Sequence, residues 1–276
     1  MLRRKLLPGG KLDKLKARIV AKGFTQREGI DYEETFSPTI RFESVRLMVA
    51  AAAVGNMHTR QMDVTTAFLY ASLDEEVYME LLEGMEGYGT PGKVARLWKA
   101  NYGLKQASRM WNLHIDNILK QMGFFRLSGD HGVYYKRDGT NRVWLALYVD
   151  DIFLVSKKLA NIEESKRTLG ADMKVKDLGV AQFLLGIELR RTKEGMKEGD
   201  ILLVQEKYVI EILKQFNMLD CKPSSNPLEP ASAATQGQPC RRHREGENGA
   251  VPLSTGGGKA HVPGRLYEAG HLPGCK

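Results

Sequence analysis

Residues 16 to 228 alternate between two apolar periods. Leu104, Ala107, Trp111, Ile115, Ile118 and Met122 recur at steps of three and four, which is one face of a helix, and Gly123 stops it. Phe42 to Val54 reads as a second helix, opened by Ser37-Pro38 and closed by Gly55. Ile162 to Leu169 and Tyr208 to Met218 are two more helical stretches. Strand patterns run through 17-ARIVAKGF-24, His58 to Val64, Ile152 to Ser156, 182-QFLLGIELRR-191 and 201-ILLV-204. In 133-VYYKRDGTNRVWLALYV-149 two strand-like runs flank Asp138-Gly139, a strong hairpin signal. Helices mixed with antiparallel hairpins predict an α+β fold rather than a doubly wound sheet. The reading gives one domain over residues 16–230, a poorly ordered start over 1–15, and a tail over 231–276. That tail is rich in Gly and Pro and lacks apolar periodicity. It buries too little surface to offset its ordering entropy, so disorder is expected there.

Composition narrows the picture only a little. The chain has 276 residues, 42% of them hydrophobic, enough for a core. Lys plus Arg is 41 against 33 for Asp plus Glu, a net charge of +8. That excess favours a polyanionic partner such as nucleic acid without demanding one. The three cysteines Cys221, Cys240 and Cys275 are widely spaced, which suits neither a disulfide framework nor a zinc site and fits an intracellular compartment. The longest apolar run, 47-LMVAAAAVG-55, is far short of the ~18 residues of a membrane span, so no membrane partner is expected.

Two stretches put acids where apolar residues belong. In 145-LALYVDDIFLV-155, Asp150 and Asp151 separate two apolar strands with no room for a long loop. They must sit at a tight hairpin turn. Acids at turns are usually innocent. Asp-Asp, however, is a poor primed-turn pair, because neither residue is Gly or Asn. In 61-QMDVTTAFL-69, Asp63 lies between Met62 and Val64, and a buried acid needs a partner. Three carboxylates could hold divalent metal, since Mg²⁺ prefers oxygen ligands. In two-metal phosphoryl transfer the ions lie about 3.5–4 Å apart. Spacing alone leaves the convergence of Asp63 with Asp150 open.

The chain resembles the reverse transcriptases of copia-type LTR retrotransposons. The stretches that carry the resemblance are 16-KARIVAKGFTQREGIDYEETFSP-38, 61-QMDVTTAFL-69, 75-EEVYM-79, 102-YGLKQASR-109, 147-LYVDD-151, 176-KDLG-179 and 184-LLGIEL-189, in the family's order. The resemblance implies a right-hand polymerase with fingers and palm, the palm sheet bearing the catalytic acids. It implies RNA-directed DNA synthesis from dNTPs on a primed RNA or DNA template, with Mg²⁺ or Mn²⁺ as cofactor. It also implies an intracellular setting, in cytoplasmic virus-like particles. The oligomeric state stays open.

By that resemblance Asp63 and Asp150 are the paired metal ligands, and Asp151 supports them. Lys16, Arg18 and Lys22 are expected to contact triphosphate, Lys16 and Arg18 from one face of a strand. Tyr102 is expected against the nucleotide's sugar or base, and Gly103 to admit close backbone approach to it. Gln106 and Arg109 are assigned to template or triphosphate, and Tyr148 to the nucleotide site. Trp111 and Met110 read as core. Phe68 is a candidate steric gate against the 2′-hydroxyl of a ribonucleotide, with an ordinary core Phe as the alternative.

The chain also departs from the family. Thr65 stands where Lys is usual, Tyr70-Ala71 where Asn-Gly is usual, and Ser108 where Pro is usual. The family has further fingers sequence before Lys16 and a connection after 223-PSSNPLEP-230. These departures lead to the expectation of a truncated or degenerate copy, and of a poor enzyme by itself. The competing readings are a nucleic-acid-binding remnant without catalysis and a two-metal nuclease. The Tyr148–Asp151 hairpin and the 102–109 block suit a polymerase better than a nuclease.

Overall fold

The computed structural model describes residues 2–6, 11–82, 93–191 and 200–221. It divides into two compact units, Met1–Ala181 and Gln182–Lys276. The expected tail over 231–276 lies outside the described residues.

The first unit opens with an antiparallel hairpin, β1 (Leu2–Leu6) and β2 (Leu12–Ala17). Strand pairing therefore begins inside the segment expected to be poorly ordered. Helix α1 (Phe42–Val54) and strand β3 (His58–Val64) follow as the apolar pattern predicted. A 3₁₀ turn over Ala67–Tyr70 leads into β4 (Ser72–Glu80), which pairs with β5 (Val94–Lys99). Then come α2 (Ala107–Gln121), β6 (Phe125–Arg126), β7 (Val133–Asp138), β8 (Asn141–Tyr148), β9 (Asp151–Ser156), α3 (Leu159–Asp172) and β10 (Val175–Gly179).

The central sheet is six-stranded in the order β10-β3-β9-β8-β7-β6, and every pairing in it is antiparallel. Strand β9 lies deep inside it, with Ile152 to Ser156 all buried. A strand covered on both faces reads as a continuous apolar run, because side chains alternate between faces. Ile152 and Leu154 join one cluster with Met62, Leu145, Trp111, Ile115 and Leu119, and with Ile162 and Leu169 of α3. Phe153 and Val155 point the other way, to the face where α1 meets β9. Helix α1 offers Phe42, Val45, Met48, Val49 and Ala52, the three-and-four spacing that buries one stripe.

The strand expected over 17–24 is corrected. Pairing stops at Ala17, and Gly23–Thr25 form a 3₁₀ turn. Ile19 and Val20 are exposed, so the run has no apolar face to bury. It follows Tyr102 instead through the Ala21 amide, which donates to the Tyr102 carbonyl at 2.8 Å.

The second unit holds β11 (Phe183–Leu184), β12 (Ile187–Arg191), β13 (Ile201–Val204) and α4 (Glu206–Gln215). Residues 182–191 were read as one strand. They form a tight hairpin, because Leu185 and Gly186 both take positive φ, at 52° and 82°. Positive φ at both central positions is the primed turn that matches strand twist. The mixed helices and antiparallel sheets agree with the expected α+β class. Among the described residues no helix is long and apolar enough to cross a membrane.

Candidate active site

Two neighbouring strands bring the three acids together. β3 and β9 pair so that Asp63 stands opposite Asp151. β8 and β9 pair with Tyr148 opposite Asp151, which leaves Val149 and Asp150 as a two-residue turn. The Val64 amide donates to the Asp150 carbonyl at 2.8 Å, tying that turn to the end of β3. The sheet register thus closes the long sequence gap that spacing left open.

The expected Asp150-Asp151 turn is corrected to Val149-Asp150, with Asp151 already paired in β9, and this turn is unusual for its residues. Val149 has φ 55°, and a β-branched residue seldom takes positive φ. Positive φ at the first central position alone is the pattern of a type II′ turn, which normally uses Gly there. The Val149 carbonyl accepts the indole N–H of Trp111 at 2.6 Å, and Trp111 is almost fully buried in α2.

The acids sense one another. Burial and the charge of Asp63 push the Asp150 carboxyl above its ordinary range, with Lys16 and Arg18 pulling against them. Burial, Asp150 and Asp63 push Asp151 up as well, against a hydrogen bond with Gln61. Hard oxygen donors crowded until their charges oppose each other are the donor set a divalent cation neutralises. By donor chemistry alone, carboxylates suit a hard divalent cation such as Mg²⁺ or Mn²⁺. Among the described residues, no group of three or more His, Cys, Asp or Glu side chains is placed so that it could hold a metal ion.

The other predicted site residues fall into two sets. Lys16 and Arg18 lie within electrostatic reach of Asp150. The Arg18 guanidinium sits 5.1 Å over the Tyr102 ring, and that ring meets Phe68 edge-on at 5.0 Å. A cleft of about 480 Å³ borders this stack, with Arg18, Thr66, Leu69, Arg96, Trp98 and Tyr102 on its wall. Tyr148 ends β8, half-buried beside the turn.

The second set is engaged elsewhere in the chain. Gln106 is fully buried. Its Nε2 donates to the Asp31 carbonyl at 2.8 Å, and its Oε1 accepts from Gln26 at 3.0 Å. Arg109 pairs with Glu34 at 2.5 Å, and Lys22 with Glu80 at 3.2 Å across an exposed surface. Gly103, at φ 92°, lets the chain pass Ala21: a Cβ there would lie 2.2 Å from the Ala21 oxygen. Its missing side chain thus serves a backbone–backbone approach within the chain.

Sequence reasoning missed the part of Trp111. It was read as core, which its burial matches. The available signal was chemical: a buried indole carries one N–H that needs an acceptor.

The model of the reverse transcriptase (RNA-dependent DNA polymerase) family matches residues 8–230. A retrovirus-related Pol polyprotein from transposon TNT 1-94 of Nicotiana tabacum is 42% identical over 219 residues, covering 79% of this chain and 16% of that protein. One from transposon RE1 of Arabidopsis thaliana is 36% identical over 222 residues, 80% of this chain and 15% of that protein. A putative transposon Ty5-1 protein of Saccharomyces cerevisiae is 33% identical over 167 residues, 60% of this chain and 53% of that protein. The chain thus spans about a sixth of the length of the plant relatives.

Proposed function

Since the chain belongs to the reverse transcriptase (RNA-dependent DNA polymerase) family, we propose that it carries the nucleotidyl-transfer site of a copia-type retrotransposon polymerase. The site adds dNTPs to a primer 3′-hydroxyl on an RNA or DNA template. The observation that carries the proposal is the pairing of Asp63 with Asp151, with Asp150 on the turn between β8 and β9.

In this reading the six-stranded sheet is the palm, and residues 16–230 form the polymerase portion. Asp63 and Asp150 are the residues that would hold divalent metal, with Asp151 in support. Mg²⁺ or Mn²⁺ held there supplies Lewis-acid activation of the primer hydroxyl and neutralises charge on the triphosphate. Lys16 and Arg18, close enough to oppose the charge of Asp150, take the phosphates. Arg18 braces Tyr102, and Tyr102 braces Phe68, a stack that bounds the nucleotide's sugar. Tyr148 borders the same site. Gln106, Arg109, Gly103 and Lys22 act from behind it, shaping the segments 22–34 and 102–109. Its setting is intracellular, within cytoplasmic virus-like particles.

Primer extension on poly(rA)/oligo(dT) by the purified chain is the test, with Asp63→Asn and Asp150→Asn beside it. Extension that needs Mg²⁺ or Mn²⁺ and vanishes in both variants is the expected result. Full activity in either folded variant would sink the assignment. Salt-sensitive nucleic-acid binding without any extension would favour a non-catalytic remnant instead.

A further inference from the structure

We infer that Trp111 is a positioning residue that holds the Tyr148–Asp151 turn in the shape that presents Asp150. The inference rests on the acids being the metal-holding group proposed above. A turn of Val149-Asp150 has poor intrinsic chemistry. Val149 must sit at φ 55° with a branched Cβ, in a conformation its side chain disfavours. Such a backbone persists only when its surroundings over-determine it. Two bonds supply that constraint. The Val64 amide holds the Asp150 carbonyl at 2.8 Å from the strand side, and the Trp111 indole holds the Val149 carbonyl at 2.6 Å from the helix side.

The helix is a firm anchor. Trp111 lies in α2 among Met110, Ile115, Ile118 and Leu119, all buried in the main cluster. Its indole packs against Tyr70 and His114, with ring centroids 6.4 and 6.0 Å away. A planar ring locked by packing on a helix presents its N–H in one direction, which is what preorganisation of a site requires. Losing the bond frees Val149 to relax toward negative φ. Both turn peptides would rotate, and Asp150 would lose its place beside Asp63.

The test is a double-mutant cycle read by Mn²⁺ binding in calorimetry and by primer extension. Trp111→Phe keeps an aromatic ring and removes the N–H. Trp111→benzothienylalanine replaces the N–H by sulfur with the bicyclic shape kept, and serves if the Phe variant does not fold. Either variant is expected to weaken Mn²⁺ binding and lower kcat by roughly 3- to 10-fold, the worth of one net hydrogen bond. In a Val149→Gly background, where the residue takes positive φ without cost, the same change should matter less than about 2-fold. A purely structural Trp111 would instead lower Tm equally in both backgrounds and leave Mn²⁺ affinity unchanged. That result, in a folded variant, overturns the inference while the metal site stands. If the unaltered chain fails to bind Mn²⁺, the reading of the acids falls, and this inference with it.

Discussion

Gly23 and Gly103 meet backbone to backbone: a Cβ on Gly23 would lie 1.9 Å from the Gly103 carbonyl oxygen. A Cβ on Gly103 would lie 2.2 Å from the Ala21 oxygen. This crossing joins the segment after β2 to the segment before α2, and it sets Arg18 beside Tyr102. Gly103→Ala adds both a steric clash and the cost of φ 92°. A loss of about 3 kcal/mol is expected in chemical denaturation. A loss below about 1 kcal/mol would show that the two segments part easily.

Gln106 separates bracing from contact. Its buried amide uses both ends on Gln26 and Asp31. Gln106→Ala strands those partners and should cost about 1–3 kcal/mol. A residue that touched template directly would lower nucleic-acid affinity at unchanged stability. Thermal unfolding and filter binding on the same variant tell these apart, and unchanged Tm with weakened binding would reverse the assignment.

The acids give a pH dependence with a definite sign. Asp150 and Asp151 are both raised in the folded chain, so the folded state holds their protons more tightly than the unfolded state. Their contribution is full below the ordinary carboxylate value of about 3.9 and is lost as pH rises through the raised values. At about pH 7 the crowded carboxylates therefore cost stability. Asp151→Asn removes one charge opposite Asp63 and should stabilise the metal-free chain by up to about 1 kcal/mol. The same change should reduce the gain in Tm on adding Mg²⁺ and lower activity less than Asp150→Asn does. Equal Tm for the two proteins from about pH 5 to about pH 7.5 would contradict the charge crowding.

The block 176-KDLG-179 has a structural task. Asp177 pairs with Lys166 of α3, and its Oδ1 accepts the Gly179 amide at 2.9 Å. Burial pulls the Asp177 carboxyl up, yet Lys166 and that amide hold it below its ordinary value. Strand β10 runs beside β3 with Lys176 opposite Asp63, so a loose β10 unseats the strand that carries Asp63. Because nearly half of the Asp177 side chain faces screening solvent, Asp177→Asn is expected to cost less than about 1 kcal/mol at neutral pH, with the difference from the unaltered chain shrinking as pH falls through the carboxylate range. Urea denaturation at about pH 7 and about pH 3 checks both parts.

Period carried much of the fold. Helices α1 and α2, strand β3 and the β7–β8–β9 run were legible because each buries a continuous stripe or face. The pair β4 and β5 was not. In 72-SLDEEVYME-80 only Val77 is buried, and 94-VARLWK-99 buries nothing fully, so neither has an apolar face to read. The turn at Leu185-Gly186 was hidden because Leu is a poor sign of positive φ. At the site, the acids stood out as charges in apolar runs. Partners such as Gln26 with Gln106, Glu34 with Arg109 and Trp111 with Val149 lie dozens of residues apart, and no local pattern encodes them.

Phe68 has features of both a core residue and a gate. Thr66 turns the chain at φ 57° just after β3, and the 3₁₀ turn that follows carries Phe68 away from the sheet. The ring is only partly buried. It leans on the main cluster on one side and takes the edge of Tyr102 at 5.0 Å on the other. A core Phe would be enclosed, and a free surface Phe would lack such a brace. Tyr102 is itself held twice, by the Ala21 amide on its carbonyl and by Arg18 over its ring. If the proposed site seats the nucleotide's sugar against Phe68, a ring fixed in this way would not swing aside for a 2′-hydroxyl, because dense packing makes even a small added group costly. Phe68→Val opens that space and should raise ribonucleotide use relative to deoxynucleotide use, at a stability cost below the ~3–5 kcal/mol of a full Phe→Ala truncation in a core. Tyr102→Leu, which keeps bulk but removes the edge contact, should raise the same ratio by a smaller factor by loosening Phe68. Competition between rATP and dATP in primer extension reads both. A ratio unchanged in folded Phe68→Val would leave Phe68 as packing alone. A ratio raised by Phe68→Val and untouched by Tyr102→Leu would keep the gate and remove its brace.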